Sequence, residues 1–198
     1  MTPMLILASA SPVRRQLLAN AGVAFEVIPA AVDERLLEEP LLSAGASPAT
    51  IAEMLAEAKA AAVSAEAPQA WTIGADQVLD LDGARLTKPA DRAAARAQLR
   101  RLAGREHQLH SALAVARGGE TIWRHRDSSR LAMRDLDDRA IDRYLDEVGA
   151  AALTSVGSYQ LEGPGIRLFD RIEGDYFAIL GLPLLPLLKF LRSEGVVQ

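Results

Sequence analysis

Apolar positions along the chain repeatedly change their spacing, and each change marks an element. Residues 2–8 form a short apolar run that reads as a buried strand, 12–21 repeat at helical spacing and stop near Gly22, and 25–28 read as a second short strand. Ser11-Pro12 and Ser47-Pro48 each place a capping hydroxyl before a residue with no N–H to leave unpaired, so a helix is expected to start at both. Between them, after Val32-Asp33-Glu34, a Leu/Glu/Pro/Ser-rich stretch reads as a connection. The helix after Ser47 carries Ile51, Leu55, Ala58 and Ala62 on one face, with Lys59 adjacent to it. Residues 71–75 read as a strand running into Asp76, and Asp82-Gly83 as a hairpin turn between 78–81 and 85–87. A helix over 91–103 is closed by Gly104, and strands over 107–117 and 121–133 are joined at Gly118-Gly119. An amphipathic helix over 136–148, a glycine-punctuated loop over 156–165, a strand over 166–172 and a closing helix over 184–192 complete the chain.

Strands and helices interleave while hairpins interrupt the parallel rhythm. The expected fold class is α/β, a mixed, elongated sheet wrapped by helices. No repeat, low-complexity tract or long linker divides the 198 residues, so 1–198 is expected to be a single domain, built as two lobes around a cleft or as one body. With 49% hydrophobic and 24% charged residues the composition is that of a soluble globular protein. The chain has no cysteine, which excludes disulfides, thiol nucleophiles and cysteine metal sites and suits a cytoplasmic location. No signal-peptide pattern is visible. The longest apolar run, 177–188, holds Pro183 and Pro186 and is too short to span a bilayer; it reads as core, and no membrane partner is expected.

The net charge of −4 means that the chain as a whole does not attract nucleic acid, so an anionic ligand must be held by a local cluster. Arg100-Arg101 and the arginines of 124–130 have acids between or around them and no interleaved aromatics, as solvated faces do. A sharper candidate lies at the N-terminus. There a strand delivers Ser9, Ser11, Arg14 and Arg15 to a helix start, where free amides, the positive dipole end and two guanidinium groups could converge on one anion; an ordinary strand-to-helix turn would look the same. Lysine is scarce: Lys59, Lys88 and Lys189 are three of 22 basic residues, and a lysine in an arginine-rich chain supplies a compact charge. Asp76 ends a buried strand, where open α/β sheets expose functional groups, and the following hairpin can fold Lys88 back toward it. Asp76 with Lys59 and Lys88 is either a structural ion pair or a metal or water site for phosphate chemistry.

Counting charge bears on that choice. A nucleoside triphosphate brings roughly four negative charges, each opposing pair at about 4 Å being worth about 4 kcal/mol at an effective dielectric near 20. Arg14, Arg15, Lys59 and Lys88 would neutralise it, and Asp76 with Glu34 would be balanced by a divalent ion.

Six segments in order resemble the Maf family of nucleotide pyrophosphatases: Leu7-Ala-Ser-Ala-Ser-Pro-Val-Arg-Arg15, Gly74-Ala-Asp-Gln-Val78, Thr87-Lys-Pro89, Gly104-Arg-Glu-His107, Gly157-Ser-Tyr-Gln-Leu-Glu-Gly163 and Gly174-Asp-Tyr-Phe-Ala-Ile-Leu-Gly-Leu-Pro183. The resemblance covers almost the whole chain. It implies hydrolysis of a nucleoside triphosphate to the monophosphate and pyrophosphate, an action on a phosphoric anhydride, in a nucleotide-binding cleft between two lobes. It implies a divalent cation, Mg2+, Mn2+ or Co2+, and removal of a wrong nucleotide before a polymerase uses it. Carried over by motif, Asp76 is the proton acceptor that activates water. Ser9, Arg14, Arg15, Lys59 and Lys88 hold phosphate, and Glu34 is a second acid or, with Asp76, a metal ligand. A homodimer is the family's habit.

Three positions carry substrate selectivity in the family, and here they are Val13, Gln77 and Glu162. Gln77 and Glu162 resemble the branch that prefers 7-methylguanosine triphosphate over the thymidine and uridine triphosphates taken by other members. A carboxylate suits guanine because it accepts from the ring N–H and the exocyclic amine together. Val13 departs from the tryptophan often found in that branch and cannot stack on a cationic base, and Ser155-Val-Gly157 replaces the family's Lys-Ala-Gly. A reading of another class, a non-catalytic regulator of septum formation, is opposed by the presence of Asp76, Lys59 and Lys88 together. His107 and His110 lie three apart on a predicted strand and so point to opposite faces, as structural hydrogen-bonders rather than a shared metal site. The loop 157–165 is either a simple turn or, by its place in the family, a lid or base-contacting loop.

Overall fold

In the computed structural model, which describes residues 4–198, helices begin where a side-chain oxygen can take a free backbone N–H. Ser11 caps α1 (Pro12–Asn20), Asp33 caps α2 (Glu34–Ser43) and Ser47 caps α3 (Pro48–Glu66). Asp91, Asp137 and Asp175 do the same for α4 (Arg92–Leu102), α5 (Asp138–Val148) and α6 (Tyr176–Ile179), while α7 (Leu184–Ser193) follows Pro183. Both Ser-Pro starts are therefore where the sequence places them. α2 corrects the reading of 35–46 as a connection: Asp33 accepts from the amides of Arg35 and Leu36, and the helix it starts carries Pro40 inside it. The four-residue α6 overlaps the start of the apolar run 177–188 and is not separated from it by pattern.

Strands β1 (Leu5–Leu7), β2 (Glu26–Val27), β3 (Trp71–Leu81), β4 (Ala84–Leu86), β5 (Glu106–Arg117), β6 (Glu120–Met133) and β7 (Phe169–Glu173) pair in the order β2-β1-β3-β5-β6-β7, with β4 on β3. The sheet is mixed, as expected. β1 runs parallel to β2 and β3, whereas β4 is antiparallel to β3 and β7 to β6. Thr2 and Pro3 of the first predicted strand lie outside the described residues. The turn Asp82-Gly83 has φ of 53° and 82°, the left-handed pair that a two-residue hairpin needs. The strand expected over 166–172 is displaced, because residues from Pro164 to Leu168 wind as a 3-10 turn. Among the described residues no helix is long and apolar enough to cross a membrane.

The chain divides into two compact units. The first runs through Gln77 and takes in Ser111–Asp127 and Asp175–Gln198; the second consists of Val78–His110 and Ser128–Gly174. In the first, alternate β3 residues Trp71, Ile73 and Ala75 join a core with Leu113, Val115, Leu182, Leu184, Leu187 and Leu191, so the apolar run 177–188 is core as read from sequence. The other face of β3, with Thr72, Gly74 and Asp76, meets α3. A Cβ at Gly74 would lie 2.1 Å from the Ala56 carbonyl oxygen and 2.6 Å from the Ala60 nitrogen, so only glycine lets helix and strand approach this closely. The buried stripe of α3 accordingly runs through Ile51, Ala52, Leu55, Ala56, Ala60 and Val63; of the predicted face, Ala58 is half-buried and Ala62 exposed. Arg124 and Arg126 of β6 pair with Glu57 and Glu53 of α3.

In the second unit α4 and α5 are joined by Arg96–Asp142 at 2.7 Å, Arg92–Asp146 at 2.7 Å and Arg100–Asp138. Arg100, one of the arginines that could have suggested nucleic acid, is thus partnered by an acid. His107 of β5 is buried, with Nε2 2.7 Å from the Tyr159 hydroxyl and its ring against Phe169. Burial pushes its pKa down to about 4, and pushes the Tyr159 hydroxyl up, so both are neutral hydrogen-bonding groups. His110 bonds Ser128 Oγ at 2.8 Å.

Two stability predictions follow from this packing. Gly74→Ala is expected to cost about 1–3 kcal/mol through forced separation of α3 from β3, read as a lower urea midpoint. His107 binds a proton in the unfolded chain below its ordinary value of 6.5 but in the folded chain only near 4. Its contribution is therefore complete above pH 6.5 and is lost as pH falls toward 4, by about 2–3 kcal/mol. Urea midpoints across that range should fall less steeply for His107→Gln, which can still bond Tyr159 but does not titrate.

Candidate active site

The turn after β1 places Ser9, buried, at the mouth of α1. Its Oγ accepts from the Ser11 amide at 3.3 Å and from Arg14 Nη1 at 3.2 Å. Arg14 Nη1 also donates to the Ala75 carbonyl at 2.8 Å, and its Nε donates to the Gly181 carbonyl at 2.8 Å. The guanidinium is thus held by one hydroxyl and two neutral carbonyls, which orient it without cancelling its charge. Its Nη2 has no hydrogen bond among the described residues. Gly181 sits at φ +91°, and a Cβ there would press on the guanidinium at 3.2 Å, so this close carbonyl contact requires glycine. Arg15, one residue on, is exposed.

Asp76 is brought to the same carbonyl neighbourhood by β3, directly after Ala75. Lys59 of α3 places its Nζ 2.6 Å from Asp76 Oδ1 and 2.6 Å from Glu34 Oε1, at the first position of α2. One ammonium therefore joins two carboxylates that would otherwise repel. Burial pushes the Asp76 carboxyl above the usual aspartate range, while Lys59 and Arg14 pull the other way. Burial also lowers Arg14 from its ordinary value, against the opposing pull of Asp76 and Glu34. Asp76 Oδ2 makes no hydrogen bond among the described residues, which leaves an oxygen able to take a proton. Arg14, Lys59, Asp76 and Glu34 sum to zero charge.

Of the residues singled out by sequence, Ser9, Arg14, Glu34, Lys59 and Asp76 come together in the first unit. Val13 is half-buried against the apolar core, and Gln77 donates to Ser111 and to the carbonyls of Ala178 and Ile179. Lys88 and Glu162 are exposed residues of the second unit, Lys88 on the connection after β4 and Glu162 on the glycine-rich segment. The Ala75 and Gly181 carbonyls and Ser111 are partners that side-chain motifs in the sequence did not reveal. The one signal was the glycine at 181. Among the described residues no three His, Cys, Asp or Glu side chains gather as a metal cage. Two carboxylates alone suit a hard cation of the magnesium kind, which keeps water and shares phosphate oxygens, and do not suit a four-ligand structural zinc.

The profile of the family described as Maf-like protein matches residues 4–194. A protein named 7-methyl-GTP pyrophosphatase from Rhizobium meliloti (strain 1021) is 55% identical over 198 residues, the whole of both chains. One of the same name from Brucella abortus biovar 1 (strain 9-941) is 54% identical, again over the whole of both. A protein named nucleoside triphosphate pyrophosphatase from Rhodopseudomonas palustris (strain BisB18) is 53% identical over 193 residues, 98% of this chain and 95% of its own. With the six motifs in order and this match along nearly the full length, the chain belongs to the Maf-like protein family.

Proposed function

We propose that this chain is a nucleoside triphosphate pyrophosphatase that releases pyrophosphate and a monophosphate, with a guanine nucleotide such as 7-methyl-GTP as substrate. The observation that carries the reading is the Lys59 ammonium 2.6 Å from both Asp76 and Glu34, beside an Arg14 held by neutral partners. Phosphoryl chemistry needs neutralised charge and an aligned water more than a covalent partner. Asp76, its basicity raised by burial, accepts the proton of a water attacking the α-phosphate. Lys59 keeps Oδ1 occupied, so Oδ2 is the accepting atom. Arg14 turns Nη2 to the phosphates, and Ser9, Arg15 and Lys88 add donors. Asp76 and Glu34 would hold a divalent cation of the Mg2+, Mn2+ or Co2+ kind, whose chemistry is to neutralise phosphate oxygens.

Glu162 reads the base, its two oxygens matching the two donors on the edge of guanine. The names of the Rhizobium meliloti and Brucella abortus relatives support this substrate class, and that of the Rhodopseudomonas palustris relative supports the reaction. Residues 1–198 act as one catalytic domain in the cytoplasm, where hydrolysing a modified nucleotide keeps it out of nucleic acid.

Pyrophosphate release from a nucleotide panel with each metal tests the proposal. Asp76→Asn is expected to lower kcat by about 100- to 10,000-fold, the usual weight of a general base. A wild type inactive on every nucleotide with every metal would refute it. Glu162→Gln is expected to reduce kcat/KM for guanine nucleotides by about tenfold or more relative to uridine and thymidine triphosphates. An unchanged ratio would remove Glu162 from base recognition.

A further inference from the structure

Gln77 follows Asp76 on β3, so its side chain emerges on the opposite face of the strand. Its Nε2 lies 2.9 Å from Ser111 Oγ, 2.9 Å from the Ile179 carbonyl and 3.2 Å from the Ala178 carbonyl. Carbonyls only accept, so the nitrogen of the amide and not its oxygen must face them. The two amide hydrogens already have three acceptors competing for them, so the nitrogen is committed to the protein and only Oε1 is left for a further contact. Ser111 Oγ in turn donates to the Ala178 carbonyl at 2.6 Å, so two side chains clamp the end of α6. Ala178 and Ile179 are buried; the Ala178 carbonyl also takes the Gly181 N–H at 2.8 Å, whereas Gln77 is the partner of the Ile179 carbonyl among the described residues. Two residues on, the chain turns at Gly181, whose carbonyl takes Arg14 Nε at 2.8 Å. Hydrogen bonds and a short piece of backbone thus lead from Gln77 to the guanidinium.

We infer that Gln77 is a positioning residue: its amide nitrogen holds the 178–181 backbone where the Gly181 carbonyl orients Arg14, and through that nitrogen it acts on the phosphate side of the substrate. The inference rests on the pyrophosphatase reading for what Arg14 does, but not for where Arg14 is held. A displacement of the guanidinium by about 1 Å is enough to cost a phosphate-transferring site on the order of 100-fold.

Gln77→Glu keeps shape and an acceptor oxygen but removes both donors, whereas Gln77→Met removes donors and acceptor alike. Positioning through the nitrogen makes the two variants equivalent. Each is expected to lose about 10- to 100-fold in kcat/KM on every nucleotide, with base preference unchanged, and to be inhibited less by base-free tripolyphosphate. Ser111→Ala, a milder change outside the phosphate site, is expected to show the same pattern at about tenfold, and it carries the test if the Gln77 variants do not fold. A second readout needs no turnover: in 15N NMR the Arg14 Nε–H, bonded to Gly181 in wild type, is expected to exchange faster with water in all three variants.

A loss confined to one base, or a Gln77→Glu enzyme that retains wild-type rate and selectivity, would overturn the inference. So would an unchanged Arg14 Nε–H. If wild type releases no pyrophosphate from any nucleotide, the pyrophosphatase reading falls alone, since the exchange of Arg14 Nε–H still decides the positioning role.

Discussion

A single ammonium group shared by two carboxylates is the constraint around which the first unit is arranged. Lys59 reaches Asp76 and Glu34 at 2.6 Å each, from a helix, a strand and the start of a second helix that are far apart in sequence. A buried carboxylate is costly unless it is paired, and breaking such a pair leaves an uncompensated charge that typically costs about 3–5 kcal/mol. Lysine suits the position because a compact point charge can sit between two acids, where the flat fork of arginine would engage one of them. The contact depends in turn on Gly74. Without a Cβ there, α3 lies against β3 closely enough for its side chain at 59 to meet the strand residue at 76.

Arg14 shows the complementary arrangement. Its fixed partners are Ser9 Oγ and the carbonyls of Ala75 and Gly181, which hold direction through dipoles and are themselves uncharged. The two cations therefore differ in contact: Lys59 touches both acids directly, while Arg14 is oriented by neutral groups and feels those acids through space. A polyanionic ligand gains most from the second kind, and an acid that must stay ionised and positioned gains from the first. Backbone from the C-terminal segment and from β3 supplies this orientation, so the glycine at 181 and the amide of Gln77 matter to a side chain near the other end of the chain.

Polar groups of the second unit are arranged for stability. The arginines of α4 face aspartates of α5, and His107 is kept neutral between Tyr159 and Phe169 by burial. Its displaced proton affinity has a structural cause and needs no substrate. Lys88 and Glu162 are different in kind, being exposed, which leaves them accessible to ligand.

Much of this protein was legible in local pattern. Capping serines and aspartates, the Asp82-Gly83 turn and the period-two runs mark elements because their causes lie within a few residues; motif order pointed to Asp76, Arg14 and Ser9, and the scarcity of lysine to Lys59. Local pattern failed where a tertiary partner decided the outcome. Residues 35–46 read as a connection, yet Asp33 starts a helix that runs through Pro40; Ala58 and Ala62 fit a helical stripe, yet the contact at Gly74 turns Ala56 and Ala60 inward instead. Gln77 enters the sequence reading through the family resemblance, as a selectivity position; its contacts with Ser111 and with the carbonyls of 178 and 179 are visible only in the fold. Sequence by itself determined which charges and caps exist and the order of the elements. Tertiary structure alone decided which charge meets which, because a hydrogen bond to a backbone carbonyl more than one hundred residues away leaves no trace in the residue type that supplies it.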